Sequence, residues 1–273
     1  MSELMRIYSN IQAMQNMNSL GNISDKMSMH QMRLATGKKI NSAADDPAGY
    51  QLARSLETRK RGLDVALQNV SQAKNVLNVA EGGYQNIMDI LQTVKEKATQ
   101  AADYTLSSTQ RTSIDDQVSA LVSEIEDIVA ETTFNGDSLI DGGYSGAFHT
   151  GEGSTDQLSV SLGDSDSAAL SINSISLSSA NGASSAISTV STAIDTLAGR
   201  IQDVGEYKVR LASKEQSLSV ASTNTEAIRS SVEDADFAKE QMEVMKLQIL
   251  QQTAISSFAQ ANSAPQVVLS LFR

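Results

Sequence analysis

Hydrophobic positions between Leu63 and Ala98 fall at alternating spacings of three and four. Leu63, Ala66, Val70, Ala73, Leu77, Ala80, Tyr84, Ile87, Leu91, Val94 and Ala98 hold that pattern without a break. A seven-residue repeat sustained in this way is the seam of a long helix packed lengthwise on other helices. With 3.6 residues per turn, a strict heptad stays on one face only if the helix winds around a partner. At ~1.5 Å per residue, the stretch predicts a rod roughly 50 Å long.

The flanking chain supplies partners for it. Residues 1–34 predict an amphipathic helix, with Leu4, Ile7, Ile11 and Met14 at 3–4–3 spacing. Met17, Leu20, Ile23, Met27 and Leu34 follow after a phase slip. Gly37 interrupts, and Asp45-Asp46-Pro47 reads as a capped restart, because Pro is tolerated at the first helical position. Gly82-Gly83 lies inside the long helix, where each Gly costs perhaps ~1 kcal/mol, so a close approach or a slight bend is expected there. A polar break at 103–112 precedes a second helix carrying Ile114, Val118, Leu121, Ile125 and Ile128, which ends at the turn signal Phe134-Asn135-Gly136. Gln157 to Leu162 then alternates with period two and pairs with Ala147-Phe148-His149-Thr150 as a β-hairpin, followed by a Ser-rich loop to Ser185. Heptads resume at Ile187, Val190, Ile194, Leu197, Ile201, Val204 and Leu211. Lys208 interrupts that seam, its stem covering apolar surface while its ammonium reaches water. The last helix carries Phe237, Met242, Met245, Ile249, Leu250, Ile255 and Phe258, is interrupted by Pro265, and precedes the apolar tail 267–273.

The fold class is therefore mainly α. Long antiparallel, coiled-coil-like rods carry a small β-hairpin at the tip, and the two terminal helices pair. In this reading 1–35 and 237–273 form a terminal-helix domain, 36–47 and 230–236 connect, 48–136 and 186–229 form the rods, and 137–185 holds hairpin and loop.

Composition agrees with narrow aliphatic seams: 4% of the 273 residues are aromatic, Trp and Cys are absent, and there are two Pro. Without Cys, disulfides and thiolate metal sites are excluded. No apolar run is long enough for a membrane helix, and 1–14 lacks the apolar core of a signal peptide. The net charge of −11 is uneven, since residues 101–199 hold one basic group, Arg111, against 14 acidic ones. An acidic middle suits solvent, and the nearly neutral ends are freer to be buried. Seven of the ten Met lie in the first 32 residues, and Met242 and Met245 lie near the other end. Met adapts to irregular surfaces, so both ends suit packing against a neighbour.

Candidate chemistry is sparse. His30 and His149 are the only imidazoles, and no metal-binding His pair, phosphate loop or nucleophile elbow is present. Helix caps and solvated turns account for Asp45-Asp46 and for Glu233, Asp234 and Asp236. No catalytic residue, cofactor or metal site is expected, and nucleic acid is disfavoured as a partner because no basic face interleaved with aromatics occurs.

At Leu34-Ala35-Thr36-Gly37-Lys38-Lys39-Ile40-Asn41-Ser42-Ala43-Ala44-Asp45-Asp46-Pro47-Ala48-Gly49 the chain closely resembles bacterial flagellin, the filament subunit of the flagellum. The resemblance continues at Ala80-Glu81-Gly82, Phe134-Asn135-Gly136, 232–238, 248–254, 259–262 and 268–271. It implies a self-polymerising structural protein used for swimming motility, in a short form without large outer domains. Gly37, Asn41, Ser42, Asp45, Asp46 and Gly49 carry the family motif at the start of the rod. The resemblance also implies polymerisation through the terminal helices, at Leu4, Ile7, Ile11, Met14, Met242, Met245, Ile249, Leu250, Phe258, Leu269 and Leu271. It further implies export to the cell exterior by the flagellar type III apparatus without a cleaved leader, and an export chaperone on the C-terminal helix. Hook-associated junction and cap proteins would be partners, with no membrane partner. Flagellins recognised by the animal innate immune receptor typically carry Arg, Leu and Glu where this chain has Thr93, Lys97 and Gln117. Val94, Lys95 and Glu96 fit the pattern, but all three key positions differ, so weak or absent recognition is expected. The alternatives are a hook–filament junction protein of the same superfamily and, remotely, a filament-borne enzyme. Both ends are expected to be loosely ordered in the free subunit and to order on assembly, because isolated helices are marginal in water.

Overall fold

A computed structural model describes the backbone of residues 10–270 and the side chains of residues 10–263. Along the chain lie α1 (Ile11–Thr36), α2 (Pro47–Ala101), α3 (Ser108–Glu131), β1 (Thr133–Phe134), β2 (Asp137–Ser138), β3 (Ser145–His149), β4 (Gln157–Ser161), α4 (Ala180–Glu233) and α5 (Phe237–Ser270). Two compact units share these elements: Met1–Thr58 with Asn224–Arg273, and Arg59–Thr223. Both α2 and α4 contribute residues to each unit.

The heptad seam organises the unit 59–223. All eleven seam positions from Leu63 to Ala98 are at most 4% exposed, and one continuous apolar cluster joins them to α3, α4 and the segment between. From α4 the cluster takes Val190, Leu197, Val204 and Leu211, with Ile187, Ile194 and Ile201 partly buried against them. Polar contacts fix the antiparallel direction of α2 and α4: Lys74 Nζ donates to Glu215 Oε2 at 2.6 Å, and Ser222 Oγ donates to Asp64 Oδ1 at 2.9 Å. Lys208 donates to Glu81 Oε2 across the pair at 2.6 Å while its side chain stays partly exposed. An apolar stem with a carboxylate at its end lets the seam continue past the lysine.

The α2–α3 connection is shorter than the expected polar break. Ser107 Oγ accepts from the Gln110 amide at 3.3 Å, and Gln110 Oε1 accepts from the Ser107 amide at 2.8 Å. This capping box starts α3 at Ser108. Beyond α3, Asn135 (φ 54°) and Gly136 (φ 93°) form the left-handed turn that joins β1 to β2, the geometry a two-residue hairpin favours. Here α2 must come close. A Cβ on Gly83 would lie 2.7 Å from Thr132 Oγ1, 2.9 Å from Thr132 Cγ2 and 3.1 Å from Ile140 Cδ1, whereas one on Gly82 would meet nothing within 4 Å. Only the second glycine of the pair makes the close approach.

The expected hairpin is β3–β4, with Phe148 opposite Leu158 and Gly146 opposite Val160. Leu158 and Val160 face the core, and Gln157, Ser159 and Ser161 are exposed. Its turn is closed by Thr150 N donating to Asp156 O, and Arg59 Nε meets Glu152 Oε1 at 2.9 Å. The Ser-rich stretch after it is irregular but firmly held. Leu170, Ile172 and Leu177 are buried. The Ser167 amide donates to Glu126 Oε1 at 2.8 Å and the Leu177 amide to Asp115 Oδ1 at 2.6 Å. Two α3 carboxylates thus supply backbone partners that a strand would otherwise provide. Tyr84, inside the seam and fully buried, donates its hydroxyl to Gly163 O at 2.8 Å. Burial pushes that phenol up to about 12.

Pro265 does not interrupt the last helix, contrary to expectation; α5 runs through it to Ser270. Proline deletes one helical hydrogen bond and crowds the carbonyl four residues before it, and the helix tolerates this.

Candidate polymerisation surface

The unit formed by both ends of the chain is built on α1 packed antiparallel to α5. Asn10 Nδ2 donates to Ala261 O at 2.8 Å and Asn16 Nδ2 to Ser257 O at 3.4 Å, while His30 Nδ1 meets Glu240 Oε2. The seam follows Ala13, Asn16, Leu20, Ile23, Met27, His30 and Leu34 on α1, with Ile11, Met29 and Arg33 half-buried outside it. On α5 it follows Glu240, Val244, Leu247, Gln251, Ala254, Phe258 and Ala261, with Glu243 half-buried outside it. Each set alternates spacings of three and four, so the ends meet along a short coiled-coil seam. Small and polar residues make it a thin one. At its closed end, the buried Glu240 carboxylate lies between His30 and Arg33, with Arg33 Nη1 at 3.6 Å.

A second apolar stripe lies outside this seam. Met242, Met245 and Ile249 are spaced by three and four on the face of α5 opposite Val244 and Leu247, and Ile249 is 68% exposed. On α1, Met14 (65% exposed) and Met32 lie opposite the seam in the same way, with Met17 to one side. Leu250, Ile255 and Phe237 are exposed as well. Among the described residues of α1, Met14 and the run Leu20, Ile23, Met27 and Leu34 thus lie on two faces of one helix. Of the expected polymerisation residues, Met14, Met242, Met245, Ile249 and Leu250 are exposed. Ile11 and Phe258 are half-buried, Phe258 on the α1–α5 seam. Leu4, Ile7 and Leu271 lie outside the described residues, as does the side chain of Leu269.

Between α1 and α2 the motif residues each have a local task. Gly37 ends α1 at φ 70°, in the left-handed region that a helix terminus favours. Asn41 Nδ2 donates to Lys38 O, and Asp45 Oδ2 accepts from the Ser42 amide at 2.8 Å, the Asn41 amide at 3.1 Å and Ser42 Oγ at 3.1 Å. Those bonds hold the Asp45 carboxyl below its ordinary range, the Ser42 amide contributing most. Asp46 Oδ1 caps α2 by accepting from the Ala48 and Gly49 amides. A Cβ on Gly49 would lie 2.5 Å from Asp46 Oδ2 and 2.6 Å from Ile40 Cδ1. The connector also pairs with the α4–α5 junction: Lys39 N donates to Glu233 O at 2.7 Å, and Ala235 N to Gly37 O at 2.9 Å.

Glu233 is the electrostatic centre of that junction. Its side chain is 3% exposed and lies 2.7 Å from both Lys38 Nζ and Arg229 Nη1, with Arg54 Nη2 at 3.9 Å. Burial alone raises a carboxyl, but the hydrogen bonds and charges of Lys38 and Arg229 outweigh it and hold Glu233 below its ordinary value. Local sequence implies a solvated cap at Glu233, whereas the ladder that brings Lys39 onto its backbone buries it.

Residues 7–145 match the model of the bacterial flagellin N-terminal helical region, and residues 187–272 that of the C-terminal helical region. The chain belongs to the bacterial flagellins. Flagellin FlaB1 of Treponema pallidum is 30% identical over 98% of this chain and 100% of its own length. The flagellin of Bacillus subtilis is 31% identical with the same coverage. So is the flagellar filament 33 kDa core protein of Treponema phagedenis, likewise 31% identical with that coverage. Among solved structures, a Vibrio parahaemolyticus protein assigned to the flagellar hook-associated group superposes with a TM-score of 0.59 at 11% identity. That superposition covers 70% of this chain and 100% of the other, and the likeness shows a shared fold.

The region expected to meet an innate receptor divides by burial. Val94 is fully buried in the α2 seam and packs against the core. Thr93, Glu96 and Gln117 are exposed, with Lys95 and Lys97 half-buried. Among the described residues, no group of three His, Asp or Glu side chains is placed to hold a metal ion, and no helix is long and apolar enough to cross a membrane.

Proposed function

We propose that the chain is the self-polymerising subunit of a bacterial flagellar filament, a structural element of swimming motility, with the outward faces of α1 and α5 as its polymerisation surface. The observation that carries this is the apolar stripe Met242, Met245 and Ile249 on the face of α5 turned away from α1. A helix apolar on two faces is buried on both in its working state, and contiguous exposed apolar surface marks an interaction site. Membership in the flagellins, with relatives described as filament core proteins, supports the same reading.

Assembly then completes the burial that the thin α1–α5 seam begins. Ordering the ends costs about 1–2 kcal/mol per residue in conformational entropy, offset by ~25 cal/mol for each Å² of apolar surface removed from water between subunits. Head-to-tail contacts that do not close give an open helical array. On this reading the subunit works outside the cell. It leaves through the flagellar export apparatus with a chaperone on α5 and meets junction and cap proteins at the filament ends. The protein acts mechanically, not as an enzyme.

Deleting residues 1–34 or 237–273 tests the proposal. Each truncated chain is expected to keep the folded unit 59–223 by circular dichroism and to form no filaments when seeded. Filaments from either truncation would refute it.

A further inference from the structure

The Asn10 side chain hydrogen-bonds both terminal helices. Its Oδ1 accepts from the Ala13 amide at 3.0 Å and so caps α1. Its Nδ2 donates to Ala261 O at 2.8 Å on α5. Ala261 is four residues before Pro265. In a regular helix its carbonyl would accept from the amide of residue 265, and proline has no N–H to give. Ala261 itself is buried, so its carbonyl has little access to water, and an unsatisfied buried acceptor costs on the order of 1–3 kcal/mol.

We infer that Asn10 is a positioning residue that sets the register of α1 against α5 by filling the hydrogen-bond vacancy Pro265 creates at Ala261 O. The vacancy occurs at one point along α5, and the donor that fills it is fixed to the first turn of α1 by its own cap. Sliding one helix past the other by a turn separates the pair and leaves the carbonyl unsatisfied. A polar contact in a helix seam specifies register in this way elsewhere. Asn16 Nδ2 on Ser257 O and Glu240 between His30 and Arg33 add polar contacts farther along the same seam. Its small and polar positions, Ala13, Asn16, Gln251 and Ala254, give it little shape. The inference goes beyond polymerisation, because it concerns how the two ends of one chain find each other.

A double-mutant cycle in the full-length chain tests it, using Asn10→Asp and Pro265→Ala. Aspartate is as good a helix cap as asparagine, but it replaces the donor facing Ala261 O with a second acceptor. Pro265→Ala restores the backbone donor and makes Asn10 redundant there. The readout is hydrogen-exchange protection of the amides in the first turn of α1 and around residue 261. Asn10→Asp is expected to lower that protection about tenfold in the Pro265 background, as the loss of one hydrogen bond with a repulsive contact in its place implies. It should change little in the Pro265→Ala background, where the added charge at a helix N-terminus is favourable. Equal losses in both backgrounds would overturn the inference. So would exchange at the unfolded rate in all four proteins, which would mean that the α1–α5 register is not formed in the free chain. Neither result depends on whether filaments grow.

Discussion

Adjacent glycines in α2 should respond oppositely to the same methyl group. At Gly82 the added Cβ meets nothing within 4 Å, so Gly82→Ala keeps every contact and removes the conformational freedom of a helical glycine. That is worth about 0.5–1 kcal/mol. At Gly83 the Cβ would meet both branches of Thr132, Oγ1 at 2.7 Å and Cγ2 at 2.9 Å. Rotating Thr132 offers no relief, since one branch replaces the other. Thr132 is further held by Oγ1 donating to Ile128 O at 2.6 Å and by its carbonyl accepting from Leu139 N at 3.0 Å. Overpacking of this kind costs about 1–3 kcal/mol, against which the propensity gain returns ~1 kcal/mol. Gly83→Ala should therefore be less stable by about 0–2 kcal/mol, leaving the two variants about 1–3 kcal/mol apart. For a unit of this size each kcal/mol moves Tm by about 2–4 °C. Thermal and urea unfolding of the full-length chain, followed by circular dichroism, reads the transition of the unit 59–223. If Gly83→Ala is as stable as Gly82→Ala, the close approach of α2 to the α3 terminus is wrong.

Further expectations concern buried polar groups and recognition. Tyr84→Phe strands the Gly163 carbonyl and should cost about 1–3 kcal/mol in urea unfolding. Because burial raises the Tyr84 phenol from 10.0 to about 12, folding favours its neutral form. Its stabilising contribution is whole below pH 10 and fades as pH climbs toward 12, so Tyr84→Phe should flatten the alkaline loss of stability. Glu233 has the opposite sign. Its carboxyl is held below 4.5, so its contribution is present above that pH and is lost as pH falls through the lowered value. Glu233→Gln should remove the steepest part of the acid unfolding of the unit formed by the two ends, read by hydrogen exchange in α1 and α5. With Thr93, Lys97 and Gln117 at the positions in question, a receptor reporter assay should show weak or no activation. A full response at nanomolar protein would contradict that.

Long apolar periods were legible in the sequence, and the reason is geometric. A heptad kept from Leu63 to Ala98 has one structural solution, and all eleven positions are buried. The period-two run Gln157 to Leu162 likewise became β4. Polar members hid the rest. Glu240 and Gln251 interrupt the α5 seam, so the eye follows Met242, Met245 and Ile249, which belong to the other face. Ser107 and Gln110 spell a capping box, yet their polarity reads as a break. Long-range partners are invisible to local pattern. Nothing near Glu233 announces Lys38, 195 residues away, nor do Glu126 and Asp115 announce the backbone of the Ser-rich stretch they hold. Pro265 misled for the same reason: the Asn10 amide at Ala261 O comes from 251 residues earlier in the chain.

Seeded filament growth of an Ile249→Asp variant tests the central claim most directly. Ile249 is exposed and lies off the α1–α5 seam, so the variant should fold like the parent by circular dichroism. With sheared filament seeds and electron microscopy, the parent chain should extend into long filaments of uniform width, while Ile249→Asp stays monomeric. A folded variant that elongates as fast as the parent would contradict the assignment of this face as the polymerisation surface.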